Sequence, residues 1–256
     1  YVTMEMAEEK IAMRIDANLL NVSIDDIQEL PKEVFDSKVQ KLKDKAKGKL
    51  IIKEYPTASA GAQHFRSLLN ELSLKRDFRP DIIFIDYLNI CMSSRIKAGA
   101  YVNSYTYIKS IAEELRGLAV EYNVPVVSAT QTTRGGFTST DIGLEDTSES
   151  FGLPATADFM FAIISTEELE ELGQLLVKQL KNRYSDPTFN KRFMIGVDRK
   201  KMRLYDLEET AQAGINDVVD GGKKVKKSDA YDDTPAFDKA TDNKFQKKDF
   251  GNFNFN

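Results

Sequence analysis

Apolar residues recur along most of the chain in two rhythms. From Glu8 to Asn21, Ile11, Ile15 and Leu19 fall four apart, the spacing of one helix face. A second helix runs from Pro31, a residue suited to a helix start, towards Gly48. "LIIKEY" is a short strand, and "PTASAGAQHFRSLLNELSL" a helix entered through Thr57 or Ser59 as its cap. Ile82 to Ile85 are four consecutive large apolar residues, the pattern of a strand covered on both faces. "YIKSIAEELRGLAVEY" is again helical and "VPVVSAT" is another apolar strand. Three strands, "ADFMFAII", "LLVKQLKNR" and "RFMIGVDR", then follow without long helices between them, and "MRLYDLE" closes a terminal hairpin. The first strand is Val2–Met4, at the very start of the chain.

Helices alternating with apolar strands predict an α/β fold with a mainly parallel sheet flanked by helices. The strands near the C-terminus extend that sheet as an antiparallel or mixed edge. The segment from Gln131 to Pro154 is polar and too long for a structural connection, so it is expected to be functional or mobile. Residues 1–210 read as one domain and 211–256 as a disordered tail. That tail holds eight Lys, eight Asp and no Glu, and from Lys226 onward it has no Ile, Leu or Val with which to build a core. Its phenylalanines, Phe250, Phe253 and Phe255, fit either a solvated end or a short docking peptide.

Composition narrows the classes. The net charge is −4, so any nucleic-acid contact has to come from a local patch. Cys91 is the single cysteine, which excludes an intrachain disulfide and a cysteine-based zinc site and fits a reducing cytoplasm. No apolar run is long enough to span a membrane, and no signal-peptide pattern is present. His64 lies inside a helix and reads as structural, Cys91 as a small buried hydrophobe. Tyr87 and Tyr107 suit core packing more than adenine stacking. The lysines of "KVQKLKDKAKGK" suit a solvated helix face more than a DNA-tracking surface.

Three strand ends carry chemistry. Tyr1–Met4 leads to Glu5, Ile82–Ile85 to Asp86, and Val124–Ala129 to Thr130 and Gln131. Ligands bind outside the carboxyl ends of the strands in open parallel sheets. If the three strands are neighbours, one place collects a carboxylate base, a carboxylate able to hold a metal through water, and an amide able to sense an added group. That set suits nucleotide hydrolysis. Taken singly, each residue also suits a loop or helix cap, and Glu5 and Gln131 suit it better than a functional role.

The motifs around these residues resemble the DnaB-like family of hexameric replicative helicases, and within it those of T4-type bacteriophages. "IIFIDYLNICM" resembles the family's Walker B strand. "VTMEMAEEKIAMRIDANLL" resembles its segment after the phosphate-binding loop, "VPVVSATQTTR" its third motif, and "VKQLKNR" the later strand with a Lys-x-Arg pair. The resemblance covers about residues 1–206. It implies a RecA-like ATPase core, ATP and Mg²⁺ as ligands, single-stranded DNA as substrate and movement in the 5′→3′ sense. A homo-hexameric ring in the host-cell cytoplasm follows, with a primase and a helicase loader as partners.

Roles follow residue by residue from the resemblance. Glu5 would orient the attacking water as general base, and Asp86 would hold Mg²⁺ through its waters. Gln131 would contact the γ-phosphate. Lys181 and Arg183 would act in trans on the next subunit's nucleotide. Without the family, Lys181 and Arg183 read as ordinary charges on an edge strand. The DNA grip would lie in Thr132–Pro154, with Arg134 as its cation and backbone amides near Ser150 and Gly152 on phosphates. Here Ser148 stands where the family carries arginine, and Phe151 separates Ser150 from its glycine. Asp141, Glu145, Asp146 and Glu149 make the loop acidic, which also suits a plain flexible loop.

No G-x-x-x-x-G-K-S/T occurs in the chain. Against the family pattern the chain begins one helix after that loop, so these residues alone are expected to hydrolyse ATP negligibly. A RecA-like recombinase, a clock-type ATPase and a non-catalytic interaction module are the competing readings.

Overall fold

A computed structural model describes residues 1–96, 101–133, 142–146, 152–186, 188–208 and 212. All of them fall within one compact unit, Tyr1–Gly222. The elements in chain order are β1 (Val2–Thr3), α1 (Glu8–Leu20), α2 (Ile24–Ile27), α3 (Lys32–Lys45), β2 (Lys53–Glu54), α4 (Ala62–Arg76), β3 (Ile83–Asp86), α5 (Ser104–Tyr122) and β4 (Val126–Ser128). A short helix, Gly152–Thr156, precedes β5 (Phe159–Ile164), β6 (Gln174–Asn182), β7 (Arg192–Asp198) and β8 (Arg203–Asp206).

The first sheet is parallel throughout, in the order β2-β1-β3-β4. Its register sets Thr3 beside Asp86 and Ile85 beside Ser128. The later strands are antiparallel, as read from the sequence. They form a second four-stranded sheet, β5-β6-β7-β8, instead of an edge of the first. Among the described residues no ladder joins β4 to β5.

The main core lies between the first sheet and helices α4 and α5. Phe65 and Leu69 of α4 and Ile111, Leu115 and Leu118 of α5 meet Val2, Ile83 and Ile85. The expected two-sided burial of the Ile82–Ile85 strand is corrected by this packing. Ile83 and Ile85 are buried, but Ile82 and Phe84 remain 42% and 38% exposed because α4 and α5 cover one face only. The second sheet behaves alike: Ala162, Ile164, Leu176 and Met194 are buried, while Phe159, Phe161 and Ile163 are exposed.

Caps explain the helix limits. Asn103 accepts from the Thr106 amide at 2.8 Å and starts α5 three residues ahead of the sequence reading. Asn21, Asp77 and Asn123 end α1, α4 and α5 in the left-handed conformation that small polar residues tolerate. Neither Thr57 nor Ser59 caps α4. Thr57 Oγ1 donates to the Met4 carbonyl (2.8 Å) and Ser59 Oγ to that of Pro56 (2.6 Å), leaving Gly61 as the N-cap. His64 sits in the first turn, where its Nδ1 accepts from the Gly61 amide at 3.3 Å, a structural role. Cys91 is buried, and burial followed by the nearby Glu114 charge pushes its thiol up to about 12. The lysine-rich α3 buries none of its residues. Phe35, Val39 and Leu42 only lean on the Ala17–Leu20–Ile27 cluster.

Candidate nucleotide site at the strand ends

The parallel order delivers Glu5, Asp86 and Gln131 to one sheet edge, as the strand-end argument requires. β1 lies directly beside β3 and β3 beside β4, so the residues that leave these strands share the carboxyl side. The ladder continues one step past β1, where the Met4 amide donates to the Asp86 carbonyl at 3.0 Å. Glu5 is the next residue, and it is exposed. Between β3 and β4, Ser128 Oγ donates to the Ile85 carbonyl (2.7 Å) and the Leu88 amide to the Ala129 carbonyl (3.3 Å). Gln131 Nε2 reaches the Tyr87 hydroxyl at 3.3 Å.

Among the described residues Asp86 has one oxygen engaged: the Tyr1 hydroxyl donates to Oδ2 at 2.7 Å. Burial first, then that hydrogen bond, pushes the Tyr1 phenol well above its ordinary value, so it stays a donor at neutral pH. The Tyr1 ring stacks on Phe84, with centroids 6.3 Å apart. Tyr107 packs against the main core and its hydroxyl accepts from the Ser93 amide at 3.4 Å, in keeping with a packing role.

The edge suits a nucleotide with a hydrated divalent cation. One carboxylate oxygen of Asp86 remains for coordinated water, and a Mg²⁺ ion that keeps its waters needs few protein ligands. Thr130 Oγ1, between β4 and Gln131, is shut off from solvent and has no hydrogen-bond partner among the described residues, an orphaned polar atom beside this edge. Among the described residues no three His, Cys, Asp or Glu gather as an all-protein metal cage.

A second polar group sits where β6 meets the short helix Gly152–Thr156. Lys181 Nζ donates to the carbonyls of Pro154 (2.5 Å) and Ala155 (3.3 Å). Arg183 donates through Nη1 to Asp158 Oδ1 (2.7 Å) and through Nη2 to the Ala155 carbonyl (3.1 Å). Arg116, from α5, donates to Asp158 Oδ2 (2.6 Å) and to the Thr156 carbonyl (2.9 Å). Burial alone would raise the Asp158 carboxyl, but Arg116, Arg183 and Lys181 outweigh it and hold it below its ordinary range. Desolvation, then the Arg183 charge, lowers Lys181.

Sequence reasoning found Lys181 and Arg183 but neither Asp158 nor Arg116. It also missed Lys178, a buried lysine on β6 whose Nζ donates to the Ile142 carbonyl at 2.6 Å. A bulge between Met160 and Phe161 shifts the β5–β6 register, so the strict two-residue alternation breaks between Lys178 and Lys181. Both lysines thereby serve the long loop, one at Ile142 and one at Pro154. Gly152 is buried, and a Cβ there would press on the Lys109 side chain. Arg134 and Ser150, the other DNA-binding expectations, lie outside the described residues, as does the tail with its phenylalanines.

A parallel sheet backed by helices, followed by antiparallel strands, is a RecA-like α/β arrangement. Solved structures agree on that fold. An ATPase domain matches with TM-score 0.65 and 19% identity, covering 81% of this chain and 74% of that one. A DnaB-like replicative helicase, solved for its interactions with primase, matches with TM-score 0.65 and 17% identity over 81% and 51%. Residues 1–184 match the family described as the DnaB-like helicase C terminal domain, and the chain belongs to that family. It is 45% identical over 229 residues to the DnaB-like replicative helicase of Enterobacteria phage T4, covering 88% of this chain and 48% of that protein. The chain therefore spans about half the length of this curated relative.

Proposed function

We propose that these residues form most of the ATP-driven motor of a ring-shaped replicative DNA helicase. The observation that carries this reading is the shared sheet edge at which β1, β3 and β4 present Glu5, Asp86 and Gln131. Family membership supports it and does not favour a recombinase, a clock-type ATPase or a non-catalytic module.

In this reading Glu5, exposed one residue past the ladder, orients and deprotonates the water that attacks the γ-phosphate. Asp86 holds hydrated Mg²⁺ through its unengaged oxygen while Tyr1 fixes the carboxylate. When bound, Mg²⁺ neutralises charge on the β- and γ-phosphates. Gln131, steadied by Tyr87, hydrogen-bonds the γ-phosphate. Loss of that bond is reported to the segment leading to the DNA loop. Lys181 and Arg183 stabilise charge on the neighbouring subunit's nucleotide. The loop with Arg134, Ser150 and Gly152 holds single-stranded DNA, and cycling around a homo-hexamer moves the strand 5′→3′. A primase and a helicase loader are the partners, in the host cytoplasm. Among the described residues no helix is long and apolar enough to cross a membrane.

The test mixes subunits in rings that also carry a phosphate-binding loop. Arg183→Ala should lower hydrolysis by about a thousandfold, the scale of an arginine finger. Arg183→Lys should rescue little, since an ammonium lacks the planar fork. Mixed with Glu5→Gln subunits, Arg183→Ala subunits should regain hydrolysis at interfaces where both residues are intact. If mixed rings form and hydrolysis stays lost, the trans assignment is wrong.

A further inference from the structure

Arg183 does not stand alone in the structure. Its guanidinium bonds to Asp158 and to the Ala155 carbonyl, and the same carboxylate is shared with Arg116. We propose that Asp158 is a positioning residue for Arg183: with the carbonyl end of the short helix Gly152–Thr156, it fixes the plane and direction of the guanidinium before a neighbouring subunit's nucleotide arrives. This rests on the trans reading of Arg183 given above.

Three observations point to orientation instead of masking. First, a guanidinium has five N–H donors, and the bonds to Asp158 and Ala155 use two of them. The side chain is 41% exposed, so solvent reaches it despite these two bonds. Second, Asp158 is held from the opposite side. Arg116 Nη1 donates to Oδ2 and also to the Thr156 carbonyl, so the second carboxylate oxygen is tied to α5. A carboxylate that bridges the two arginines links Arg183 to Arg116 on α5. Third, Lys181 uses the carbonyls of Pro154 and Ala155, the last turn of the same short helix. A helix end concentrates unsatisfied carbonyls, which attract cations. Three cations, Arg116, Lys181 and Arg183, converge on three successive carbonyls, 154 to 156. The depressed Asp158 carboxyl keeps this anchor charged at neutral pH.

The arrangement has a mechanical corollary. The short helix directly follows the long loop, so a shift of the helix displaces the Ala155 carbonyl that sets the Arg183 plane. Asp158 and Arg116 stay with α5 and β5. The guanidinium thus rests partly on a core support and partly on a loop-linked one.

The experiment uses assembled rings carrying a phosphate-binding loop, with Asp158→Asn as the first variant. Asparagine keeps the shape and removes the charge-assisted bond. The kcat for ATP should fall by about tenfold or more, the effect expected from losing one charge-assisted hydrogen bond, while KM for ATP stays within about twofold. In an Arg183→Ala background the same change should add nothing, because its route of action is already gone. Asp158→Asn subunits mixed with Glu5→Gln subunits should regain hydrolysis. Multiplying defects in the double variant, or a rise in KM that accounts for the loss, overturns the proposal. If Arg183→Ala fails to complement Glu5→Gln, the trans reading falls first. If Arg183→Ala complements and Asp158→Asn does not, only the positioning role falls. Should Asp158→Asn not assemble, Asp158→Glu keeps the charge and undergoes the same tests. Failure of both to assemble, beside an Arg183→Ala ring that forms, makes Asp158 a fold residue and overturns the proposal.

Discussion

Replacing Glu114 with glutamine keeps the shape of the side chain and removes its charge. Glu114 is 9% exposed on α5. Its carboxylate accepts from Ser93 Oγ (2.5 Å), Ser94 Oγ (2.6 Å), the Ser94 amide (3.0 and 3.1 Å) and the Arg95 amide (3.4 Å). These contacts hold the loop that follows β3, and with it the polypeptide leaving Asp86. A glutamine puts an NH₂ where one oxygen stood. The serine hydroxyls can rotate to accept from it, but the Ser94 amide cannot. Two hydroxyl bonds lose their charge assistance and one amide contact turns donor against donor. Bonds to charged groups contribute about 1.5–3 kcal/mol each, and some of this is recovered by rotation and water, so the net loss is about 2–3 kcal/mol. For a domain of this size that lowers Tm by roughly 5–10 °C. Burial alone would raise the Glu114 carboxyl, and the hydrogen bonds from Ser93, Ser94 and Arg95 hold it below 4.5 instead. Its contribution is therefore complete above that value and fades as pH drops through the lowered one. Thermal unfolding at neutral pH should show the gap between parent and variant, and the gap should close in acid. Hydrogen exchange at the Ser94 and Arg95 amides should quicken. A Tm within about 1 °C of the parent at neutral pH would refute the reasoning, as would a gap that persists unchanged in acid.

Glu5→Gln, in a protein that also carries a phosphate-binding loop, should abolish hydrolysis and leave nucleotide affinity within a few-fold; parallel loss of both in equilibrium binding and turnover assays would make Glu5 structural. The 256-residue chain by itself should show no ATP turnover above background, checked after removal of contaminating ATPases. Gly61→Ala should destabilise by about 1–3 kcal/mol in urea unfolding, because the new Cβ would overlap the Met92 carbonyl oxygen and backbone yields poorly. Gly61 has φ −151°, so the cost is one of space and not of conformation, and serine should fare no better than alanine.

Glu5, Asp86 and Gln131 were legible because strand ends follow from apolar runs, and parallel pairing sends every such end the same way. The second sheet's antiparallel pairing was legible too, from strands lacking helices between them. Its separation from the first sheet was not, since no local pattern records which edges meet. The α4 cap misled: Thr57 and Ser59 have the right chemistry, but tertiary carbonyls at Met4 and Pro56 claimed their hydroxyls. Asp158 and Arg116 are 42 positions apart and announce nothing locally. Glu113 and Glu114 look alike in sequence, and only the fold assigns one to an exposed ion pair with Arg95 and the other to a buried cradle. Lys178 carries no local signal of burial, and only the packing reveals it as buried.

The uncovered faces of the two sheets bear on how the isolated chain behaves as a colloid. Phe84 and Val127 lie opposite one another on β3 and β4, 38% and 41% exposed. Phe159, Phe161 and Ile163 are about half exposed on β5. Among the described residues β4 and β5 are also the outer strands of their ladders, so exposed apolar side chains lie on edge strands. A net charge of −4 spread over 256 residues supplies weak repulsion between molecules. Self-association of the isolated chain, followed by light scattering, is therefore expected to rise with concentration. Salt, which screens the little repulsion there is, steepens that rise further.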